Sequence, residues 1–363
     1  MVNAPAIEKP ATAEELARAL HEASESRLAV TPIGGGRASE MGDPLERCDV
    51  ELHTSRLDRV LEHSQGDMVV SVEAGITIES LQSELFRKGQ FLPLDPFNSP
   101  GHTIGGLLAA GWTGPLRQRF GSPRDFLIGI RVALPDGRLA SAGGRVVKNV
   151  SGYDMMKLHL GAMGSLGVIV AASFKVFPNA LHDVTVDIAC ASFEDAWAAC
   201  ERATALPLPP AALELLSSGR LMARFLGSRD AVERMVSELG WNRADPSIWV
   251  EHSRRGLSSW ARIAVPRHKV HSTLTSLPAG SEWWASPGVG IVHWSVESGV
   301  ETVREARATA EAAGGSLVMM AGPDELRRKV GAWGSPPPTL ELMMRLKNAF
   351  DPGRTLNPGR FVV

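Results

Sequence analysis

Three glycine-rich stretches hold the residues best able to bind a ligand through the backbone. The first is Pro32-Ile33-Gly34-Gly35-Gly36-Arg37, directly after a predicted strand. Three consecutive residues without Cβ can turn their N–H groups to one side and make a nest for a diphosphate, although a plain turn uses the same triplet. The second runs from Gly101-His102-Thr103-Ile104-Gly105-Gly106 to Gly111-Trp112-Thr113-Gly114. The hydroxyls of Thr103 and Thr113 and the amides between them suit an extended polar ligand. A close approach of helix to strand, which glycine also permits, is the alternative. The third is Lys148-Asn149-Val150-Ser151-Gly152-Tyr153-Asp154, followed by Gly161, Gly164 and Gly167. Tyr153 is the only tyrosine of the chain, and a loop tyrosine is most often a packed ring with a solvated hydroxyl. No G-x-G-x-x-G follows the first strand and no G-x-x-x-x-G-K-[ST] occurs, so a Rossmann nicotinamide site and a P-loop are poor fits.

Metal chemistry has little to build on. His268 and His271 are three apart but lack a carboxylate, which reads as a surface pair. Cys48, Cys190 and Cys200 are odd in number and lack metal spacing, as expected of reduced thiols. A net charge of −2 leaves no excess of Lys and Arg to neutralise the phosphates of a nucleic acid. Met1 to Pro10 has no basic cluster ahead of an apolar run, and no apolar run is long enough to span a bilayer. A cytoplasmic protein is expected, with any membrane attachment made through partner subunits.

The chain has 363 residues, 44% of them hydrophobic and 21% charged, which suits a globular protein of more than one domain. Thr12-Ala13-Glu14-Glu15 starts a helix near residue 13, with Leu16, Leu20 and Ala23 on one face. Strands are predicted at 27–31 and 68–72, and a helix runs through Ile78, Leu81, Leu85 and Phe86, giving a β-α-β-β-α opening. Three prolines between Leu92 and Pro100 dictate a loop, and Thr103-Ile104-Gly105-Gly106 opens a short helix over Leu107 to Ala110. Residues 128–134 and 138–141 flank Pro135-Asp136-Gly137 as a hairpin, and 168–177 reads as a strand. From residue 183 strands at 184–189, 211–216, 221–225, 290–296 and 316–320 and helices at 192–205, 230–239 and 300–313 alternate roughly as β-α-β-β-α-β, the pattern of a ferredoxin-like α+β cap. Most of the nine tryptophans lie after residue 240, where Trp283-Trp284 reads as core packing or a partner surface. Gly334-Ser335-Pro336-Pro337-Pro338 is a linker before a last helix over 340–350.

The ordered set P-x-G-G-G, T-I-G-G, G-x-x-R, R-D, L-P-D-G, K-N-x-x-G-Y-D, G-x-x-G-x-L-G-V-I and a terminal F-D-P with L-N-P-G resembles the FAD-linked oxidases of the vanillyl-alcohol oxidase (PCMH-type) superfamily. Nearly the whole chain is covered. Within that superfamily the short length, the K-N-V-x-G-Y-D form and Gly161-Ala162-Met163-Gly164-Ser165-Leu166-Gly167 resemble the FAD-binding subunit of bacterial glycolate oxidases. The resemblance implies an α+β fold in which a two-lobed PCMH-type FAD-binding domain (1–180) precedes a ferredoxin-like cap (181–338), while a C-terminal helix and tail (339–363) return to the flavin.

By the same resemblance Pro32, Ile33, Gly34, Gly35, Gly36 and Arg37 form the pyrophosphate loop. Thr103, Ile104, Gly105, Gly106, Thr113 and Gly114 lie along the flavin's phosphates, ribityl chain and ring. Gly164, Gly167, Val168 and Ile169 hold the adenosine half, and Asn357-Pro358-Gly359 closes over the flavin. Gly111 stands where larger relatives carry Asn, and Met163 where they carry an acidic residue, departures expected to weaken flavin contacts. Arg37-Ala38-Ser39 occupies the place of the histidine that often binds flavin covalently, so non-covalent FAD is expected. The implied chemistry takes a hydride from Cα of a 2-hydroxy acid, glycolate to glyoxylate, with a larger FAD-linked subunit and an iron–sulfur subunit as partners. Arg117 and Arg119 can hold a carboxylate or a cofactor phosphate, and no residue stands out as the base. An H-x-H-x-D-G-N motif, common in relatives that act on 2-hydroxy acids, is absent, which counts against an independent hydroxy-acid site. A stand-alone oxidoreductase of another alcohol and a weakly flavin-binding assembly subunit are the competing readings.

Overall fold

The first helix, Ala13–Glu25, starts where the Thr12 hydroxyl accepts the Glu15 N–H at 3.1 Å, while the Glu15 carboxylate accepts the Ala11 N–H at 2.8 Å. Both groups satisfy donors that a helix start leaves free. Leu16, Ala17, Leu20 and Ala23 form the buried stripe and pack on Val30, Val50 and Leu52. The helix ends with Arg27 at φ 55° and the Leu28 N–H on the Ala23 carbonyl, so the turn consumes residues expected to begin the next strand. That strand is Val30–Ile33. It lies at the edge of a parallel three-stranded sheet with Val50–His53 and Ala6–Glu8, and the edge position accommodates Pro32. The computed structural model describes residues 4–97, 100–144, 154–254, 258–297 and 299–363. Lys148 to Tyr153 of the third glycine stretch lie outside the described residues.

A five-stranded antiparallel sheet follows in the order Val60–Ser64, Val69–Glu73, Val168–Lys175, Leu127–Ala133, Leu139–Gly143. Its hairpin turns at Pro135-Asp136-Gly137, where Gly137 takes φ 81° and donates to the Leu134 carbonyl at 2.9 Å. The helices Ile78–Phe86 and Ile104–Ala110 lay Ile78, Leu81, Leu85, Leu107 and Leu108 into the core of this sheet.

The ferredoxin-like unit expected after residue 183 is present, and it is followed by a second. Both belong to one antiparallel eight-stranded sheet. Strand His182–Ala189, helix Phe193–Thr204, strands Ala212–Leu216 and Arg220–Gly227, helix Arg229–Leu239 and strand Asn242–Arg243 form the first unit. Strand Trp260–Ala264, helix Val270–Ser276, strands Trp283–Ser286 and Ile291–Ser295, helix Val300–Ala312 and strand Ser316–Ala321 repeat the pattern. The units meet edge to edge where Leu215 and Leu216 pair with Ala285 and Trp284. The last strand, helix and strand of the second unit are legible in the sequence, whereas its opening is not, because Trp260–Ala264 carries an arginine mid-strand and the helix Val270–Ser276 is mostly Ser, Thr and His. One face of the sheet buries Trp283 and Trp294 under the helices. The opposite face turns Trp260, Val318 and Met320 towards the N-terminal half. Trp283 and Trp284 are both buried, so they serve packing.

The last helix, Leu340–Phe350, carries a fully buried lysine. Lys347 Nζ donates to the Asp351 carboxylate at 2.7 Å and to the carbonyls of Ser165 and Leu356 at 2.8 and 3.0 Å. Three acceptors satisfy the ammonium in a site where burial pulls its pKa down. The tail is thereby fixed, and Leu356 bridges in parallel to Val30. Among the described residues no helix is long and apolar enough to cross a membrane.

Candidate functional site

Beyond Ile33 the chain cannot carry side chains. A Cβ on Gly34 would strike the Thr103 hydroxyl, and one on Gly35 would overlap the Gly101 carbonyl. The N–H groups of Gly35, Gly36 and Arg37 donate to no partner among the described residues. They line a cleft of about 540 Å³ together with Thr103, Gly106, Asn357 and Arg360. A second cleft of about 380 Å³ shares Pro32, Ile33, Gly34, Gly106, Met163 and Asn357 with the first and adds Gly105, Gly164, Gly167, Val168 and Ile169. The two form one continuous groove.

Polar groups in the groove wall are left wanting partners. Asn357 takes φ 47° and donates through Nδ2 to the Met163 carbonyl at 2.6 Å, while its buried Oδ1 has no partner. Thr31 Oγ1 is in the same state. Arg360 donates through Nη1 to the carbonyls of Ala38 and Ser39, its Nε is unpartnered, and no carboxylate bonds to it among the described residues. Burial, and the Arg327 guanidinium nearby, pull its pKa down to about 10. A buried cation without a counter-ion is costly, and an anion in the groove removes that cost.

The remaining sequence candidates lie elsewhere. Ile104 is buried in the core. Gly114 lies against the Asp95 carbonyl, closer than any side chain allows. Thr113 lines a separate compartment of about 310 Å³ between the N-terminal half and the eight-stranded sheet. The rings of His102 and Trp112, 4.6 Å apart, stand between groove and compartment. Trp112 Nε1 is spent on Met41 Sδ at 3.3 Å, and His102 Nε2 on the Phe97 carbonyl at 2.8 Å. Burial lowers the His102 pKa to about 4, so its imidazole is neutral.

Two residues that the sequence did not single out face this compartment. Arg262 and His293 are cross-strand partners on adjacent strands. Arg262 makes no hydrogen bond or ion pair among the described residues, and burial and then the Arg117 guanidinium draw its pKa down to about 10. His293 is buried, its Nδ1 is unpartnered, and burial and Arg262 hold its pKa well below the usual value. The signal was the alternation Trp260-Ala-Arg262 and Val292-His293-Trp294, which sets Arg262 and His293 off from the apolar residues beside them. Only the sheet register joins them. Of the two sequence candidates, Arg117 supports this field, while Arg119 donates to the Leu226 carbonyl.

A larger cavity of about 840 Å³ lies next door, lined by Asp95, Phe97, Arg224, Trp249 and His252 among others. Asp95 accepts the Leu116 N–H at 2.9 Å, its other oxygen is unpartnered, and burial pushes its pKa up to about 8. Behind it the fully buried Glu214 accepts the Ser286 hydroxyl and lies 3.5 Å from His252 Nε2.

Comparison with known proteins gives this arrangement its setting. The family described as FAD binding domain matches residues 4–143, and that described as FAD linked oxidases, C-terminal domain matches residues 296–361. Together they span more than half of the chain. It belongs to the FAD-linked oxidases. FAD is its cofactor. Among curated relatives, this FAD-linked oxidase is 26% identical to glycolate oxidase subunit GlcE of Escherichia coli over 96% of each chain. It is 31% identical to a D-lactate dehydrogenase of Archaeoglobus fulgidus over 64% of its own length. It spans about half of that relative's length, since the match covers 52% of it. The glycolate oxidase subunit GlcD of Bacillus subtilis is 29% identical over 60% of the chain and 46% of the relative. A solved alkyldihydroxyacetonephosphate synthase superposes with a TM-score of 0.72 at 18% identity, covering 97% of this chain and 76% of that one. The fold is the PCMH-type FAD oxidase fold.

Proposed function

We propose that the groove holds FAD and that the oxidase acts on a small 2-hydroxy acid, glycolate above all, as the FAD-binding subunit of a glycolate oxidase-type complex. The observation that carries the substrate class is Arg262, a guanidinium without a carboxylate partner beside His293 at the end of a flavin groove. The unpartnered amides at Gly35 to Arg37 and the uncompensated Arg360 suit the diphosphate. Gly164, Gly167, Val168, Ile169 and Asn357 offer backbone, a carboxamide oxygen and apolar surface to the adenosine half. The division at residues 180 and 338 belongs to the same reading.

Bound there, FAD supplies a hydride acceptor. The chain's own work is to hold the acid and to take a proton. Arg262 receives the carboxylate, and that negative charge offsets the guanidinium's contribution, second to burial, to keeping the His293 imidazole from protonation. His293 is then the base for the substrate hydroxyl, neutral before the substrate arrives and more basic once it is in place. Attachment of the flavin is non-covalent: Arg37-Ala38-Ser39 offers no histidine, and His102 is committed to Phe97. The larger FAD-linked subunit and an iron–sulfur subunit are the partners of this reading, at a cytoplasmic location.

Anaerobic mixing of the FAD-loaded protein with glycolate tests the reading, with loss of the oxidised flavin band as the signal. Bleaching in wild type and its loss in Arg262→Met, with flavin content unchanged, is expected. A flavin that no 2-hydroxy acid reduces, with or without co-purifying subunits, refutes it. Acid precipitation should leave the yellow colour in the supernatant. Affinity purification from the native host should bring down iron–sulfur absorption with the flavin.

A further inference from the structure

One side chain lines both the compartment of Arg262 and His293 and the larger cavity of Asp95, Arg224 and His252. That side chain is Phe97. Its ring is buried, with its centroid 4.9 Å from the His293 ring and 5.1 Å from the His252 ring. Trp284 closes another edge at 5.3 Å. The backbone beneath is pinned by His102 Nε2–H donating to the Phe97 carbonyl at 2.8 Å. Phe97 is thus a wall shared by the smaller compartment and the larger cavity.

In the chemistry assigned to the compartment, Arg262 takes the carboxylate and His293 the hydroxyl. Trp112 and Thr113 belong to the loop that arrives from the groove. The apolar lining that remains is Phe97, Trp260, Ile291 and Met320. Of these, Phe97 sets its ring 4.9 Å from His293, against 5.4 Å for Trp260, and it alone also borders the larger cavity. We propose that Phe97 sets the size of the 2-hydroxy acid this protein accepts: hydrogen or methyl on Cα fits, and a longer side chain meets the ring. The inference rests on the reading given under Proposed function. Behind the ring, Leu94, Pro115, Trp249 and Val250 offer an apolar lining to a longer chain once the wall is removed. Burying further methylenes there is favourable, and each one admitted or refused shifts specificity by about tenfold or more.

The test uses the full-length, FAD-loaded protein with whatever subunits accompany it, as wild type, Phe97→Leu and Phe97→Ala. Flavin reduction is measured anaerobically with glycolate, lactate, 2-hydroxybutyrate and 2-hydroxyisocaproate. Binding of each acid is measured separately by quenching of tryptophan fluorescence, because Trp112 and Trp260 line the compartment. The ratio of kcat/KM for 2-hydroxyisocaproate to that for glycolate should rise from wild type to Leu to Ala, by about tenfold or more overall. The Kd for the longer acid should fall in the same order. Should Phe97→Ala fail to retain FAD, the Leu variant carries the comparison. Wild type that takes the long acid as readily as glycolate overturns the proposal, as do FAD-loaded variants that keep the wild-type profile. Both results leave the hydroxy-acid reading standing. A wild-type flavin that no acid in the series reduces removes that reading, and this inference with it.

Discussion

The groove and the compartment at its end are built on opposite plans. In the groove the wall is backbone, and what matters is the absence of side chains at Gly34 and Gly35. In the compartment the wall is side chain, with Arg262 and His293 projected from neighbouring strands. A backbone wall is intolerant of added atoms, whereas a side-chain wall is intolerant of lost charge. On the function proposed above, binding of the cofactor and handling of the substrate should therefore be separable by mutation.

The hardest test of that separation is Gly35→Ala. Its methyl would have to displace the Gly101 carbonyl, so the protein should purify colourless and take up no added FAD, as read by absorbance and flavin fluorescence. Lys347→Met comes next and reaches the groove from behind. Leaving Asp351 buried and unpaired should cost about 3–5 kcal/mol of stability, seen as a lower midpoint in denaturant and a weakened FAD Kd. Arg262→Met should spare FAD binding and lower kcat/KM for glycolate by about 2–4 kcal/mol, roughly 30- to 1,000-fold, mostly through KM. Equal damage to flavin affinity and turnover in this variant would break the comparison.

The smallest expected effect concerns Asp95, on the far side of Phe97. Its folded pKa is raised to about 8 from 3.8. Between those values the folded state keeps a proton that the unfolded chain releases, so its contribution to stability declines as pH climbs. Asp95→Asn should therefore be more stable than wild type at pH 8, by up to a few kcal/mol, with the gap closing towards pH 4. Denaturation at several pH values reads this directly, and a gap that widens on acidification would contradict the burial of a neutral carboxyl.

The same contrast explains what the sequence disclosed. The groove is written in near-consecutive residues, so Pro32 to Arg37, Thr103 to Gly106, and Gly164, Gly167, Val168 and Ile169 were visible as motifs, and the structure sets them around one cleft except for Ile104. That residue shares a motif with its neighbours but points into the core, because successive helical side chains diverge. The compartment has no such spelling. Arg262 and His293 come together through strand register, and the strand of Arg262 and the helix after it are short and polar enough to hide the opening of the second ferredoxin-like unit. Val50–His53 and Val60–Ser64 also went unread, since one alternates polar residues in a parallel edge-joined sheet and the other is a half-exposed edge. Trp112 was seen only as part of a glycine stretch, and its place between groove and compartment is a matter of packing alone.

The bridge between Val30 and Leu356 carries a consequence for biogenesis. The second strand of the protein emerges early from the ribosome, whereas the segment that finishes its sheet and supplies Asn357 and Arg360 emerges more than three hundred residues later. Until then the groove proposed for FAD lacks a side, so cofactor capture must wait for synthesis through Arg360, and cells starved of riboflavin should accumulate a colourless chain with residues 351–363 open to protease.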